Sequence, residues 1–529
     1  FLDASNLNTI SYSTVTSASA DNPAVNLSGA SSNTFSSSYL FNSAGDALVL
    51  DNSPYNTVSL STLVSNAAGS YALNIGVSSF NTVTQSFLNN PAGPALNFNA
   101  SDNNTISYST ITSNATNALT VHVLNSSSNT ITQSYVYNPA SVGLLFNGSQ
   151  NNTVSYTTVL SNTDQADAIT ILNSSTFNVI TQSFVSNPLG NGISLSGSSD
   201  FNTISYSTVT SNNAGYFALF LNGVSTTSIF NSYLQSYSVA LYIANSTGTT
   251  VNANVLLSTP TGGVGLLFDG GNVNLFASSN TITGGPQGSG VAIVNSNSGL
   301  IKLSTNTINP GAQNGINISQ QLPNTEIWIT SNTIIPTVSS DFDTFGLYLG
   351  GLTSGATIYN NAIAYRTAGS MGAFTAYALF ADNNSANLNI HHNRFNNPGM
   401  ITAGNFIGVF FTGTTNSSFN FNDLHSTGTF DNSLLLQLTA ASTGIQIKNN
   451  IFLASMTVTG SSATLDISAD SQPGFISDYN DFFSSNSLNT GIWGGTNYPL
   501  LPAWQAASGQ DTNSIAANPL WHNVAAGVE

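Results

Sequence analysis

Along this chain apolar residues fall at every second position in short runs, and Asn, Ser, Gly and Pro separate the runs. Ala47-Leu48-Val49-Leu50, Ala168-Ile169-Thr170-Ile171 and Gly315-Ile316-Asn317-Ile318 are typical. A period of two over such runs predicts strands with one buried face. The separating residues supply the turns. Helical periodicity is almost absent, and no hairpin signal stands out.

The runs belong to a repeat. Asn202-Thr203-Ile204-Ser205-Tyr206-Ser207-Thr208-Val209 has near copies starting at Asn8, Asn56, Asn104 and Asn152, which lie 48 residues apart. A second version, Asn81-Thr82-Val83-Thr84-Gln85-Ser86-Phe87-Leu88, has relatives at Asn33, Asn129 and Asn178. The two versions alternate at spacings of 25 and 23. A fixed period of this size signals a stacked architecture. One small polar position can be followed from end to end. It is Ser13, Ser38, Ser61, Ser86, Ser109, Ser134, Thr157, Ser183, Ser207 and Ser232, and then Asn254, Asn280, Asn306, Asn332, Asn361, Asn393, Asn422, Asn450 and Asn480. These nineteen positions predict an all-β chain forming a single right-handed parallel β-helix of about nineteen coils. Adjacent coils would lie about 4.8 Å apart. Ile10, Val58, Val83, Ile106 and Ile131 would form an inward apolar ladder and the Ser or Asn positions an inward polar one. Leucine-rich and propeller repeats fit less well. The change from Ser to Asn suggests a division into 1–245, with short alternating coils, and 246–485, with longer ones; 486–529 would be a short non-repeat cap.

At the level of motifs, Ile329-Thr330-Ser331-Asn332-Thr333-Ile334, Ile390-His391-His392-Asn393-Arg394-Phe395 and Ile447-Lys448-Asn449-Asn450-Ile451-Phe452 resemble the coil consensus of right-handed parallel β-helix proteins, the pectate-lyase-like superfamily in the broad sense. Ser477-Asp478-Tyr479-Asn480-Asp481-Phe482, the segment Trp504 to Ile515, and Asn518-Pro519-Leu520-Trp521 are similar to the closing segment of many secreted bacterial β-helix proteins. The resemblance implies the fold. It does not choose a function, because that fold hosts lyases, hydrolases, epimerases, adhesins and inert surface proteins.

Composition narrows the choice. Only 5% of residues are charged, the net charge is −17, and the basic residues are Lys302, Arg366, Arg394 and Lys448. Ordinary soluble domains carry about 25% charged residues. Phosphate neutralisation is therefore unavailable, so no nucleic acid is expected as a partner. A polybasic membrane patch is excluded as well, and no apolar run is long enough for a spanning helix. There is no cysteine, hence no disulfide, thiolate metal site or Cys nucleophile. No cofactor is expected. The repeat begins by Asn8 and no signal peptide precedes it, as in a processed secreted protein or an excised fragment. The expected location is extracellular or at the cell surface. Sequons such as Asn26, Asn99 and Asn317 arise readily by chance in a chain this rich in Asn, Ser and Thr.

The search for chemistry returns one patch. Asp341, Asp343, Arg366, His391, His392 and Arg394 fall in consecutive long coils and hold half of the basic residues. Of these, Arg394, His391, Asp343 and Arg366 are the catalytic candidates for a polysaccharide lyase or hydrolase. Exposed charges in long loops are the plainer reading. Asn162-Thr163-Asp164 resembles a short motif of polygalacturonase-like hydrolases, but the Asp-Asp, Gly-His-Gly and Arg-X-Lys partners are missing. No metal-ligand spacing occurs. Tyr12, Tyr108, Tyr156 and Tyr206 recur in one coil type. They suit a lateral contact or a sugar-stacking stripe, though cross-coil packing is the plainer expectation. Thr9, Thr34, Thr57, Thr82, Thr105, Thr130 and Thr153 repeat at one position, but an ice-binding lattice needs a second Thr file where Asn and Ser are expected here. Residues 1–7 carry no cap, which predicts head-to-tail association with other copies through Phe1, Leu2, Trp504 and Trp521. The expected function is thus an extracellular structural β-helix that self-assembles. A carbohydrate-active enzyme and an adhesin or glycan-binding solenoid are the alternatives, the last favoured if the Tyr stripe is solvent-exposed.

Overall fold

The computed structural model describes residues 1–519 apart from 165, 312, 366–371, 383, 403 and 486–488. The chain is an all-β, right-handed parallel β-solenoid of about 19 turns with one short helix near its C-terminus. It divides into two compact units, Phe1–Val255 and Leu256–Glu529.

In the first unit each turn contributes a strand to three sheets. In one turn these are Leu48–Asp51 in sheet A, Thr57–Ser59 in sheet B and Thr62–Ser65 in sheet C. Each strand pairs in parallel with its counterparts in the turns beside it. Val83 stands opposite Val58 on one side and Ile106 on the other, and Ile106 faces Ile131. Val58, Val83, Ile106 and Ile131 are buried, as the period of two requires. Ile10 has a paired turn on one side only and is half-buried.

Strands this short need corners, and corners interrupt the backbone ladder. The residue at each corner between B and C adopts positive φ although it is rarely glycine: Tyr12, Leu60, Gln85, Tyr108, Gln133, Tyr156, Gln182 and Tyr206 all do. The next residue then buries an N–H without a backbone acceptor, which would cost about 1–3 kcal/mol if left unpaired. The polar ladder supplies the acceptor. Ser38 N–H donates to Ser61 Oγ (3.1 Å), Ser61 to Ser86 (3.2 Å) and Ser86 to Ser109 (3.2 Å). The A-to-B connection solves the same problem with Asn: Asn33 N–H donates to Asn56 Oδ1, Asn56 to Asn81 and Asn81 to Asn104, each at 2.8 Å. A third file after sheet A runs Ser53, Ser78, Ser101, Ser126.

The alternation of 25 and 23 residues has its cause at the C-to-A connection. In one turn type Asn90 Nδ2 donates to the carbonyls of Ala67, Ser70 and Pro94, while its Oδ1 accepts from Ala92 and Gly93 N–H. In the other type the shorter Ser113 donates to Gly93 O. Two loop shapes therefore alternate, one built round Asn and one round Ser.

In the second unit Asn takes over the B-to-C file. Asn306 N–H donates to Asn332 Oδ1, Asn332 to Asn361, Asn361 to Asn393, Asn393 to Asn422 and Asn422 to Asn450, at 2.8–3.0 Å. Asn also has an amide to donate, and Asn332 Nδ2 reaches Leu303 O at 3.0 Å. The later turns have longer strands, such as Asn405–Thr412 and Asp423–Phe430.

The C-terminal end departs from the parallel pattern. Asn489–Trp493 pairs antiparallel with Thr496–Tyr498 across Gly494-Gly495, both at positive φ. This two-residue Gly-Gly loop is a hairpin signal, and it corrects the expectation of none. The helix Leu501–Ser508 follows and sets Trp504 fully buried against Gly491, where a Cβ would come within 2.2 Å of the indole. Trp504 Nε1 donates to Asp511 (2.8 Å), and the buried Asp511 also accepts from Ser477, Asn480 and Ser514.

Candidate functional site

Sheet A of the second unit turns one row of side chains outward, and in three successive turns that row is aromatic. Tyr348 lies beside Phe380 and Phe380 beside Phe410. A second file puts Phe345 beside Tyr377. The rings stack at the spacing of the turns: Phe345 on Tyr377 at 5.2 Å and 7°, Tyr348 on Phe380 at 5.4 Å and 8°. Edge contacts join the files, Phe345 to Phe380 and Tyr377 to Phe380. Tyr348 is fixed further by its hydroxyl, which donates to Asp382 Oδ2 at 2.6 Å. Burial, then that bond and the charge of Asp382, push the Tyr348 phenol up to about 12. The platform is thus rigid before any ligand arrives.

Beside it lies a cleft of about 550 Å³ lined by Gln313, Asn314, Asn317, Ser319, Gln320, Phe342, Asp343, Phe345 and Tyr348. The strand Asn314–Ser319 provides the amide wall and Thr344–Gly350 the aromatic one, with Asn317 opposite Tyr348. Asn317 Oδ1 is a shielded acceptor with no hydrogen-bond partner. Asp343 accepts from Thr375 N–H through Oδ1 at 2.8 Å. Aromatic faces, amides and one anchored carboxylate suit the apolar faces and hydroxyl edges of a sugar. Among the described lining residues there is no pair of carboxylates to flank a glycosidic bond, as hydrolysis needs.

The sequence-predicted catalytic residues are spread over the turn. Asp343 lies in the connection into sheet A and lines the cleft. His391 closes a sheet B strand and His392 holds the following corner at φ 56. Their Nδ1 atoms are 3.0 Å apart, and His391 packs on Tyr359. Burial first, then His392, hold the His391 imidazole below the usual range. Arg394 opens sheet C, in register with Ala362 and Asp423. Asp341 is exposed and accepts from the neighbouring Ser340 hydroxyl. Arg366 lies outside the described residues. The described candidates therefore divide among the C-to-A connection and the faces of sheets B and C, and among them the histidine pair is brought together. Among the described residues no group of three or more His, Asp or Glu side chains is placed to hold a metal.

The tyrosine stripe is solvent-exposed, while Tyr206 also makes a cross-coil contact of the plainer kind, edge-on to Phe230 at 5.7 Å. Tyr12, Tyr108, Tyr156 and Tyr206 are 88%, 59%, 58% and 59% exposed, because each occupies a positive-φ corner that turns its side chain away from the core. The Thr file is paired with a second hydroxyl file after all: Thr82-Val83-Thr84 and Thr105-Ile106-Ser107 bury their middle residue and turn both neighbours outward. Of the assembly candidates, Phe1 is exposed and Leu2 half-buried, but Trp504 is sealed inside the cap and unavailable to a partner. Trp521 lies outside the described residues. Ser13, Ser61, Ser109 and Ser207, and Asn254, Asn306, Asn332, Asn393 and Asn450, all occupy ladder positions. Sequence reasoning missed the aromatic platform, whose members sit 30–32 residues apart and show themselves only once the register is fixed. No helix among the described residues is long and apolar enough to cross a membrane.

Residues 116–220 match a family described as the right-handed beta helix region. No curated protein matches the chain. Among solved structures the chain is similar to the A-module of the mannuronan C-5 epimerase AlgE6 of Azotobacter vinelandii, at 15% identity and a TM-score of 0.39 over 61% of this chain and 90% of that one. It is also similar to PfbA, a surface adhesin of Streptococcus pneumoniae, at 12% identity and a TM-score of 0.30 over 69% and 84%. A third is the PL6-family alginate lyase AlyGC, at 9% identity and a TM-score of 0.24 over 98% and 95%.

Proposed function

We propose that this chain is an extracellular, surface-displayed β-solenoid that binds carbohydrate without cleaving it. The observation that carries this reading is the stacked aromatic platform of Phe345, Tyr348, Tyr377 and Phe380 beside the amide-lined cleft. A pyranose ring laid on Tyr348 would lie beside the half-buried Asn317 side chain, its neighbour in register.

The placement of the charges supports binding rather than turnover. Among the described residues lining the cleft Asp343 is the one carboxylate, and one of its oxygens is committed to Thr375 N–H. A lyase needs a base beside the sugar and a cation or acid against its carboxylate. His391 and Arg394 stand on other faces of the turn. Glycan-array screening of the whole chain, followed by calorimetric titration of the best ligand, tests the reading. Tyr348→Ala is expected to weaken that ligand by about 1–3 kcal/mol through the lost stacking area. Unchanged affinity in Tyr348→Ala and Asn317→Ala together would remove the cleft as the site.

A further inference from the structure

The first unit carries a separate surface with its own periodicity. Along the edge between sheets B and C nearly every turn exposes one aromatic ring. In one turn type the ring sits on the corner, as Tyr108, Tyr156 and Tyr206. In the other it opens sheet C, as Phe87, Tyr135 and Phe184. The register is Phe87, Thr110, Tyr135, Thr158, Phe184 from one turn to the next. On the corner, tyrosines alternate with Gln133 and Gln182 in the same way. Two parallel files result, each with a ring in every second turn and offset by one turn. Turns about 4.8 Å apart give a ring repeat of about 9.6 Å in each file.

We infer that this edge binds a single extended chain of an uncharged β-1,4-linked glycan, lying along the stacking direction. In such a chain successive sugars face opposite ways, so the same face returns after two sugars, over a length close to the ring repeat. Two offset files meet both faces in turn. The amides of Gln133 and Gln182 and the hydroxyls of the adjoining sheet B file stand level with the rings to meet the sugar edges. In that file Ser107 donates to Thr84, Ser155 to Thr132 and Ser205 to Thr181 at 2.9–3.0 Å, so its geometry is already set. The corners are equally fixed, with Tyr108 N–H donating to Thr132 O and Tyr156 N–H to Thr181 O. Neither ring file nor the hydroxyl file holds an Asp, Glu, Lys or Arg in this unit, which favours a neutral polymer over an acidic one. Protruding rings on the corner also spoil the flat lattice that ice would require.

The test is co-sedimentation of the whole chain with microcrystalline cellulose and with chitin, comparing wild type, the triple variant Y108A/Y156A/Y206A and the control Tyr237→Ala, an exposed tyrosine in a C-to-A connection away from this edge. The three corner tyrosines are more than half exposed, so the triple variant keeps its melting temperature. Wild type and Tyr237→Ala are expected to pellet alike with at least one polymer, and the triple variant to bind about tenfold more weakly. A Tyr-to-Phe triple variant, which keeps the rings, should retain most of the binding. The inference is overturned if wild type pellets with neither polymer or adsorbs only to ice. It is also overturned if the triple variant binds as wild type does, or if its effect proves to be loss of self-association in sedimentation velocity without glycan. Failure of the cleft reading leaves these outcomes unchanged, since the two variant sets share no residue.

Discussion

A single amide or hydroxyl per turn decides whether the backbone can take a corner. Leu, Phe and Tyr seldom adopt positive φ, at a cost of about 1–2 kcal/mol, yet Leu60, Phe80 and Tyr108 all do so here. The residue that follows each of them carries the reason. Ser61, Asn81 and Ser109 put an acceptor on the N–H of the turn beside them. Removing one such acceptor strands a buried donor, so Asn332→Ala is expected to cost about 2–4 kcal/mol. Asn332→Ser should cost less, because Ser already does this duty in the first unit; chemical denaturation of the two variants gives the order. A second residue-scale prediction concerns pH. Burial pushes the His425 imidazole down to about 4. With the folded value below the unfolded one, near 6.5, the unfolded chain binds the proton more readily. Stability is therefore full above about pH 6.5 and lost as pH falls toward 4, with a slope up to about 1.4 kcal/mol per pH unit. Melting curves of wild type and His425→Gln between these limits should diverge, the variant having the flatter profile.

At the scale of elements, most of the architecture was legible and the reasons for the exceptions are physical. The strands and the Ser and Asn files follow from spacing alone, since like residues in register leave a periodic trace. The Asn33–Asn56–Asn81 file is equally periodic, but periodicity at the start of the repeat string does not by itself show that these side chains are acceptors. The aromatic platform left no trace at fixed spacing, because loops of differing length separate Tyr348, Phe380 and Phe410. Asp343 was singled out and does line the cleft; His391 and Arg394 were singled out from the same charge cluster, and the corner at His392 sends them to different faces. The cap was legible as non-repeat sequence, but its anchor was not: Trp504 reads as an exposed assembly residue until Asp511 and Gly491 close round it. Trp504→Ala should cost about 3–5 kcal/mol. Hydrogen exchange should show the loss first in Asn489–Trp493 and Asp481–Ser484, the strands against which the cap is hydrogen-bonded and packed.

For the molecule as a whole, stability is local and the proposed recognition is spread over repeats. Each turn contacts its neighbours through the same three sheets and polar files, so stability should behave as a sum of turn and neighbour terms. Charge contributes little to either property. With only four basic residues in the whole chain, glycan affinity at the cleft is expected to change little between low and high salt, which titration at two ionic strengths would show. The central claim is that the platform and cleft of sheet A hold a sugar chain and leave it intact. Mass spectrometry of the tightest-binding oligosaccharide after prolonged incubation with a saturating amount of the whole chain tests it most directly. The account predicts saturable binding and an oligosaccharide of unchanged mass and linkage. Shortened products, or fragments with an unsaturated end, would contradict it.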